Sequence, residues 1–371
     1  MNTEDRKLEL IETVIRQVQT RMAGEQVEVV ARFVANYYQQ VDPDDLAQRS
    51  VEDLYGAVLS HWHFIQQRDD GLLKLRVYNP NVPEQGWQSP HTIIEILNDD
   101  MPFLVDSIVP EVNRQGLTLH LIIHPVMRVV RDEQGQLLDV AADRHDPVGK
   151  LESLIHLEVD RRSDAPALEA LQSGLGRVLA DVRAAVEDWP AMQARLGEVL
   201  GEINRNPPPQ DAAQTAEDRD FLQWIANNHF TLLGYRQYDL GKEGDADVLR
   251  VTPDSGLGIR RGGADMVSGS FATLPPEVRA QAREPKLLIL AKSNARATVH
   301  RQAYLDYIGI KRFNRQGEVI GEHRFLGLFT FTAYNASPTD IPLLRRKVSL
   351  VMERTGFLQN SHGAKALAVL L

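Results

Sequence analysis

The sequence of 371 residues contains no cysteine. Disulfides, thiolate nucleophiles, iron–sulfur clusters and cysteine-rich zinc sites are therefore excluded, and the composition fits a reducing compartment. Basic residues are also in deficit, because 41 Lys+Arg against 51 Asp+Glu leave a net charge of −10. An acidic chain is poorly suited to a phosphate backbone, so we expect no nucleic-acid partner.

Long apolar runs are missing as well. The opening residues, MNTEDRKLEL, lack the basic and apolar regions of a signal peptide. The best candidate for a membrane span, residues 117–130, is interrupted by His120, His124, Pro125 and Arg128, whereas a span needs about 18 continuous apolar residues. We therefore expect no membrane partner and a cytoplasmic location.

Hydrophobic spacing predicts an α+β fold. Helical spacing over residues 1–68 indicates about three N-terminal helices, one of them capped by Ser50. Residues 69–203 then read as strand, strand, helix, strand, turn and strand, followed by a long helical stretch. This order is typical of an antiparallel sheet with helices on one face. Within it, residues 118–130 are predicted to form one long strand.

Three consecutive prolines make residues 204–215 the clearest candidate for a linker between domains. Over residues 216–371 the pattern predicts a second antiparallel sheet of five strands with flanking helices. The last of these strands is expected over 319–333. The sequence ends in the apolar run 366–371 without a helix cap, so we expect a longer polypeptide.

Histidines are the candidates for a metal site. His61 and His63 lie two apart on a predicted helix and point in different directions, whereas helical zinc pairs are four apart. His120 and His124 share a face of the predicted strand, and His156 could lie on a neighbouring one, so the three could serve a metal-dependent hydrolase. Hydrogen-bonded histidines on a half-buried sheet explain the same pattern, and we assign no metal ligand.

Nucleotide motifs are not found. The glycine-rich residues 255–263 are followed by the polar stretch 264–270 instead of an amphipathic helix, which argues against a dinucleotide site. There is also no Walker sequence and no Gly-x-Ser-x-Gly motif. We therefore assign no catalytic residue and no bound cofactor to this sequence.

An acidic turn between a predicted strand and a predicted helix is the main ligand candidate. The free N–H groups of the first helical turn could receive a carboxylate, and Asp99 or Asp100 could receive an ammonium group, which would suit a free amino acid. Asp100 acting only as a helix cap explains the turn equally well. The candidate residues are Asn98, Asp99, Asp100, Met101, Phe103 and Asp106.

A set of basic and histidine residues in the second half could contact an anion or an acidic neighbouring domain. A solvated loop explains the same residues without a ligand. The members of this set are Arg260, Arg261, Lys292, Arg296, His300 and Arg301.

Four separated segments carry a family resemblance: DDMPFLVDSI at 99–108, FLQWIANNHFTLLGY at 221–235, YLDYIGIKRF at 304–313 and IPLLRRKV at 341–348. In this order they resemble the N-terminal region of the large bacterial NAD-specific glutamate dehydrogenases. The resemblance implies an ACT-like domain followed by a PAS-like sensor domain. It also implies that NAD is bound elsewhere in a parent enzyme that converts L-glutamate to 2-oxoglutarate and ammonium.

The sequence departs from the ACT pattern at one position. ACT domains that bind amino acids typically read Asp-x-Pro-Gly-Leu at the strand-to-helix turn, and Phe103 stands where that pattern has glycine. A phenyl ring fills the space that glycine leaves for a ligand.

The leading interpretation is a non-catalytic regulatory segment of such a dehydrogenase. We expect its partners to be the remainder of the polypeptide, further copies in a homo-oligomer and a small-metabolite effector. The alternatives are a free-standing metabolite sensor and a histidine-ligated hydrolase.

Overall fold

The computed structural model describes residues 3–24, 26–243, 246–262 and 283–355. Helices combine with two antiparallel sheets, which confirms the predicted α+β class. The chain divides into two units, Met1–Ala180 and Asp181–Leu371. Among the described helices none is long and apolar enough to span a membrane.

The first unit is built around a six-stranded sheet in the order β1-β2-β6-β4-β5, with β3 also paired to β6. Its strands are β1 (Lys74–Tyr78), β2 (Thr92–Asp99), β3 (Leu119–Ile123), β4 (Val126–Arg131), β5 (Leu137–Val140) and β6 (Lys150–Val159). Its helices are α1 (Thr3–Arg21), α2 (Val27–Tyr38), α3 (Pro43–Ala47), α4 (Val51–Ile65), α5 (Val82–Gln85), α6 (Leu104–Arg114) and α7 (Ala165–Glu187), which continues past the division between the units.

Helices cover both faces of this sheet, whereas the sequence predicted helices on one face. The apolar sides of α1, α2 and α4 form one core with Leu97 and Leu154 of the sheet. On the other face, a Cβ added to Gly176 of α7 would lie 3.9 Å from Leu75, which pairs with Ile96. The N-terminal helices are therefore part of the first unit's core. Ser50 caps α4 as predicted, accepting a hydrogen bond from the backbone N–H of Asp53 at 3.1 Å.

The long strand predicted over 118–130 is wrong, because the chain breaks at His124 and Pro125 into β3 and β4. Proline has no N–H to donate to a sheet ladder. Its carbonyl accepts a hydrogen bond from the backbone of Leu154 at 3.0 Å, so β6 still spans the break.

The second unit contains a second six-stranded sheet, in the order β10-β11-β12-β7-β8, with the short β9 paired to β7. Its strands are β7 (Phe230–Glu243), β8 (Ala246–Val251), β9 (Leu257–Gly258), β10 (Leu288–Arg296), β11 (Tyr304–Phe313) and β12 (Val319–Phe329). Its helices are α8 (Trp189–Arg205), α9 (Ala212–Trp224), α10 (Phe331–Asn335) and α11 (Leu344–Thr355).

All five strands predicted for this half are present, and β9 is additional. The last of them ends at Phe329 instead of continuing to residue 333. The cause is Thr330, whose side chain accepts from the backbone of Ala333 and starts α10.

The proline-rich segment joins two helices of the second unit. The apolar residues Met192 and Leu196 of α8 pack with Phe221 of α9 and Phe325 of β12 in one core. The sequence assigned α8 to the first domain, but the division between units falls inside α7. Predictions about 264–270 and 366–371 lie outside the described residues.

Candidate functional site

A cluster of buried titratable side chains lies between the first sheet and α4. Glu95 on β2 pairs directly with His156 on β6, and Glu158 lies two residues further along β6 on the same face. His61 of α4 completes the cluster, with its ring centroid 6.3 Å from that of His156. All four side chains are at most 2% exposed. We call these residues the buried cluster.

Two arginines neutralise its carboxylates. Arg76 Nε donates to Glu95 Oε2 at 2.5 Å, and Arg49 Nη1 donates to Glu158 Oε1 at 2.6 Å. His156 lies between them, its Nδ1 3.8 Å from Glu95 Oε1 and its Nε2 3.7 Å from Glu158 Oε1. Opposite charges therefore meet inside the unit, where water does not screen them.

These surroundings determine the protonation states. Burial favours the neutral forms of Glu95 and Glu158, but their histidine and arginine neighbours outweigh it and hold both pKa values at about 2. Burial lowers the pKa of His61 to about 4. The two flanking carboxylates outweigh burial at His156 and raise its pKa. At neutral pH both carboxylates are ionised and His61 is neutral.

Three residues of the buried cluster have the spacing of potential metal ligands. His61, Glu95 and His156 offer ligand atoms within 4.8 Å of one another, the sole such group in the part of the chain that the structure describes. However, Arg76 already bonds one oxygen of Glu95, and the hydroxyl of Tyr78 donates to the other at 3.1 Å. A divalent cation there would be repelled by the guanidinium. The arrangement fits an ionic network better than a metal centre.

The three histidines of the hydrolase hypothesis do not form a ligand set among the described residues. His120 Nε2 hydrogen-bonds Asp160 Oδ1 at 2.7 Å, and His124 bonds the hydroxyl of Ser153. His156 belongs to the buried cluster. The alternative of separately hydrogen-bonded histidines therefore describes His120 and His124.

A cavity of about 280 Å³ opens beside the buried cluster. Its wall includes Arg49, Trp87, His91, His120, His156 and Glu158. The rings of His91 and His120 stack at a centroid distance of 4.3 Å, and both side chains are partly exposed. Trp87, which follows α5, packs over Gly56 of α4, and a Cβ at Gly56 would lie 2.3 Å from Trp87 Cβ. Because Gly56 has no side chain, the indole of Trp87 can pack against α4 and form part of the cavity wall.

The predicted acidic turn lies at the end of β2, apart from this cavity. Asp99 accepts from Arg68 Nη2 at 2.9 Å, and Arg68 Nη1 donates to Glu152 at 2.8 Å. Asn98 is 1% exposed. The backbone N–H of Asp100 donates to the carbonyl of Leu151 at 3.3 Å. Asp99 therefore forms an ion pair within the fold.

The turn retains a glycine-like backbone at Phe103, whose φ of 72° lies in the left-handed region. Phe103 is the residue that precedes α6, and Met101 and Phe103 are both half-buried. Asp106 is exposed in the first turn of the helix. A side chain thus stands where the backbone conformation favours glycine. Ligand binding at this turn stays a prediction.

The basic set of the second half is engaged in separate contacts. Arg261 forms ion pairs with Asp188 at 2.6 Å and Glu187 at 3.0 Å. The carbonyl of Arg260 accepts from Arg236. Lys292 pairs with Asp306 at 2.6 Å, and both line a cavity of about 890 Å³ in the second unit.

The other members of the set contact aromatic rings and turns. Arg296 lies over the ring of Tyr304 at 5.1 Å, and Arg301 over that of Tyr334 at 5.3 Å. His300 has a left-handed φ of 70° in the turn before β11. An anion site for this set also stays a prediction.

Comparison with known proteins connects the first unit to one family. Residues 33–175 match the glutamate dehydrogenase ACT1 domain, and residues 341–371 match glutamate dehydrogenase helical motif 1. The chain is 41% identical over 371 residues to the NAD-specific glutamate dehydrogenase of Halomonas elongata, covering 99% of this chain and 23% of that protein. The chain belongs to the NAD-specific glutamate dehydrogenase family.

Other family members agree with this assignment. The enzyme of Pseudomonas aeruginosa is 37% identical over 361 residues, covering 96% of this chain and 22% of that protein. That of Mycobacterium tuberculosis is 28% identical over 257 residues, or 69% of this chain and 15% of the relative. The chain thus spans less than a quarter of these glutamate dehydrogenases. The resemblance inferred from the four motifs is confirmed.

Within this dehydrogenase family match, the ACT1 region runs from α2 into α7 and includes the whole first sheet and its cavity. Sequence reasoning missed Glu95, Glu158, Arg49 and Trp87. A signal was present, because Glu95 and Glu158 each lie between two apolar residues of a strand, and a carboxylate in a buried strand needs a partner. Arg49 and Trp87 lie outside regular elements, so no periodicity marks them.

Proposed function

We propose that this chain is a non-catalytic regulatory segment of an NAD-dependent glutamate dehydrogenase. The observation that carries the proposal is the ACT1 match over residues 33–175, which coincides with a unit holding a polar cavity. In this proposal NAD is bound by other parts of the parent enzyme, which oxidises L-glutamate to 2-oxoglutarate and ammonium. The chain itself senses a small metabolite and contacts the rest of the polypeptide and other subunits.

The second unit supports a PAS-like sensor domain as the other half of this segment. Its sheet places β7, the first strand of the unit, between β8 and the last strand, β12. Helices α8 and α9 pack their apolar sides into one core with the sheet. An antiparallel sheet with this order agrees with the sensor role proposed from the resemblance.

The experiment is an assay of the purified chain with L-glutamate and NAD. The absorbance of NADH measures the reaction. We expect no NADH above the background of a reaction without protein. The intact Pseudomonas aeruginosa dehydrogenase serves as the positive control, because it has to turn over under the same conditions. NADH formation by the 371-residue chain would refute the non-catalytic assignment.

A further inference from the structure

The cavity of about 890 Å³ in the second unit is open and mostly apolar. It lies between α9, β10 and α11. Its buried wall includes Phe221, Leu288 and Ile308, which are at most 5% exposed. Its outer wall includes Leu290 and Tyr334, which are 47% and 60% exposed. Apolar side chains of this cavity are therefore accessible to an occupant.

Polar contacts hold α11 in place without filling this space. Arg345 forms ion pairs with Glu217 of α9 at 2.8 Å and with Asp220, and Arg346 Nη1 donates to Gln214 Oε1 at 2.7 Å. All twelve residues of α11 are described, and none of them is buried. Covering apolar surface is favourable. The space between α11 and β10 therefore suits a ligand with an apolar body.

The starts of β10 and α11 meet at one end of the cavity. The backbone N–H of Leu287 donates to Gln210 Oε1 at 3.1 Å, and Arg346 donates to Gln214. Both glutamines in turn donate to the carboxylate of Asp218, at 2.7 and 2.8 Å. Asp218 is thus bonded by two neutral amides, and Arg346 lies at the same end.

Two further cations line this end of the cavity. Lys286 precedes Leu287, and Lys347 follows Arg346 in α11. Both lysine side chains are exposed, and within the described parts of the chain neither ammonium group has an ion pair or a hydrogen bond. Three cations therefore face the single carboxylate of Asp218. An anionic group is the partner that such an end requires.

The opposite end of the cavity is neutralised and apolar. Lys292 lies four residues beyond Leu288 in β10, about 13 Å further along the strand. Its ammonium group is paired with Asp306 at 2.6 Å. Arg301 is also near this end, but it donates to the carbonyl of Phe329 at 2.7 Å and does not line the cavity. The apolar residues that line this end are Trp224, Leu290, Phe329 and Tyr334.

We propose that this cavity binds an amphipathic monoanion, a carboxylate at the end of an unbranched apolar chain. The carboxylate lies among Lys286, Arg346 and Lys347, and the chain runs along β10 towards Phe329 and Tyr334. This inference rests on the sensor role proposed for the second unit and names the class of ligand that the unit would sense.

The size and the lining of the cavity agree with this class. About 890 Å³ lies within the range of about 300–1,000 Å³ that holds small ligands, whose sites are mostly apolar with a few polar groups. A small inorganic anion would leave the apolar walls uncovered. A nucleotide would place its polar sugar against them.

The first test is calorimetric titration of the purified chain with carboxylates below their micelle concentrations. We expect decanoate to bind, octanoate to bind more weakly and dodecanoate more tightly. Each pair of added CH₂ groups should tighten binding about 5- to 15-fold as the longer chain covers more of the wall. Decylamine, which is cationic at neutral pH, should not bind. Sebacate should bind at least about 10-fold more weakly than decanoate, because its second carboxylate would lie at the apolar end.

Variants with matched controls test the two ends separately. The double variant Lys286→Met and Lys347→Met keeps most of each apolar stem and should weaken decanoate binding about 5- to 30-fold. Its control is Lys242→Met, an exposed position away from the cavity. Leu290→Glu places a charge beside the chain and should weaken binding at least about 10-fold. Its control is Ile320→Glu in β12, where the side chain is 39% exposed. Both controls should bind with unchanged affinity.

Tryptophan fluorescence locates the bound chain. The sequence has four tryptophans, of which Trp224 lines this cavity. Its ring centroid is 6.3 Å from that of Phe329. Undecanoate with a bromine atom on its terminal carbon should therefore quench the fluorescence of Trp224. At saturating ligand, Trp224→Phe should remove most of the quenching.

The outcomes are distinct. No binding of any carboxylate, or equal binding of decanoate and decylamine, would overturn the proposal. So would quenching that persists in Trp224→Phe, because the chain would then lie at another tryptophan. If the double lysine variant fails to fold, Leu290→Glu and the quenching measurement still decide. None of these results depends on NADH formation, so failure here and failure of the non-catalytic assignment are distinguishable.

Discussion

Trp87 lies directly against Gly56, so closely that a Cβ at position 56 would be 2.3 Å from Trp87 Cβ. Glycine inside a helix is unfavourable by about 1 kcal/mol relative to alanine. Here it allows the indole to cross α4 and reach the cavity wall. Two residues far apart in the sequence thus determine one side of the cavity in the first unit.

Gly56→Ala should therefore destabilise the first unit in spite of the better helix propensity of alanine. Overpacking costs about 1–3 kcal/mol, which exceeds the gain in propensity. Urea unfolding followed by tryptophan fluorescence measures the change. The matched control is Gly197→Ala in α8, where a Cβ would meet nothing within 4 Å. That variant should stabilise its unit by about 0.5–1 kcal/mol, and equal effects of both variants would contradict the close packing at Gly56.

Because the backbone of Phe103 is left-handed, we expect Phe103→Gly to be more stable than Phe103→Ala. At most positions alanine is more stable than glycine by about 0.4–1 kcal/mol. At Phe103 both variants lose the ring, but only alanine keeps the cost of a positive φ, which is about 1–2 kcal/mol. Phe103→Gly should therefore be the more stable of the two in thermal unfolding. A more stable Phe103→Ala would mean that φ is negative.

The ion pairs around Arg68 give a prediction about the acidic turn. Arg68 is 3% exposed and bonds both Asp99 and Glu152. Arg68→Met should destabilise the first unit by about 1.5–3 kcal/mol, because Asp99 loses its ion pair with Arg68, whereas Glu152 keeps Arg131, whose Nη2 donates to it at 2.8 Å. The control Lys150→Met removes an exposed pair with Asp70 and should cost less than about 1 kcal/mol. A small loss of stability in Arg68→Met would mean that the ion pair with Asp99 contributes little, which would support the ligand role that the sequence suggested for Asp99.

Glu322 in the second unit makes stability depend on pH. Burial raises its pKa in spite of the neighbouring Arg324. The protonated form is favoured in the folded state, so its stabilising contribution is complete below about pH 4.3, the ordinary pKa of glutamate, and is lost as the pH rises through the raised value. Glu322→Gln should therefore stabilise the unit more at pH 7 than at pH 4. Circular dichroism melts at the two pH values measure the difference, and an equal gain at both would contradict the raised pKa.

The fold could be predicted from local sequence patterns wherever one element carries its own signal. The cap at Ser50 marked the start of α4, and the pattern over 216–371 predicted five strands that are all present. The break between β3 and β4 was missed because the apolar run was weighed above Pro125, which cannot donate to the ladder. The packing of helices on both faces of the first sheet could not be predicted from local sequence, because it depends on contacts between α4 and strands about 30 to 100 residues later.

The candidate site was harder to predict, for the same physical reason. Strand pairing brings Glu95 beside His156, and Arg49 reaches Glu158 of the same sheet from the segment between α3 and α4. Histidines are recognisable in sequence as potential metal ligands, but the carboxylates that flank His156 and raise its pKa come from strand pairing. The acidic turn was prominent in sequence because its residues are contiguous.

The most direct test of the account is a rate measurement on the proposed parent dehydrogenase. The rate of NADH formation is recorded with and without each member of a panel of small metabolites, for the unchanged enzyme and for Glu158→Gln. The account predicts that at least one of these metabolites changes the rate of the unchanged enzyme, and that Glu158→Gln loses this response while its KM for NAD stays the same. A response that survives in Glu158→Gln, or no response in the unchanged enzyme, would contradict regulation through the cavity beside Glu158.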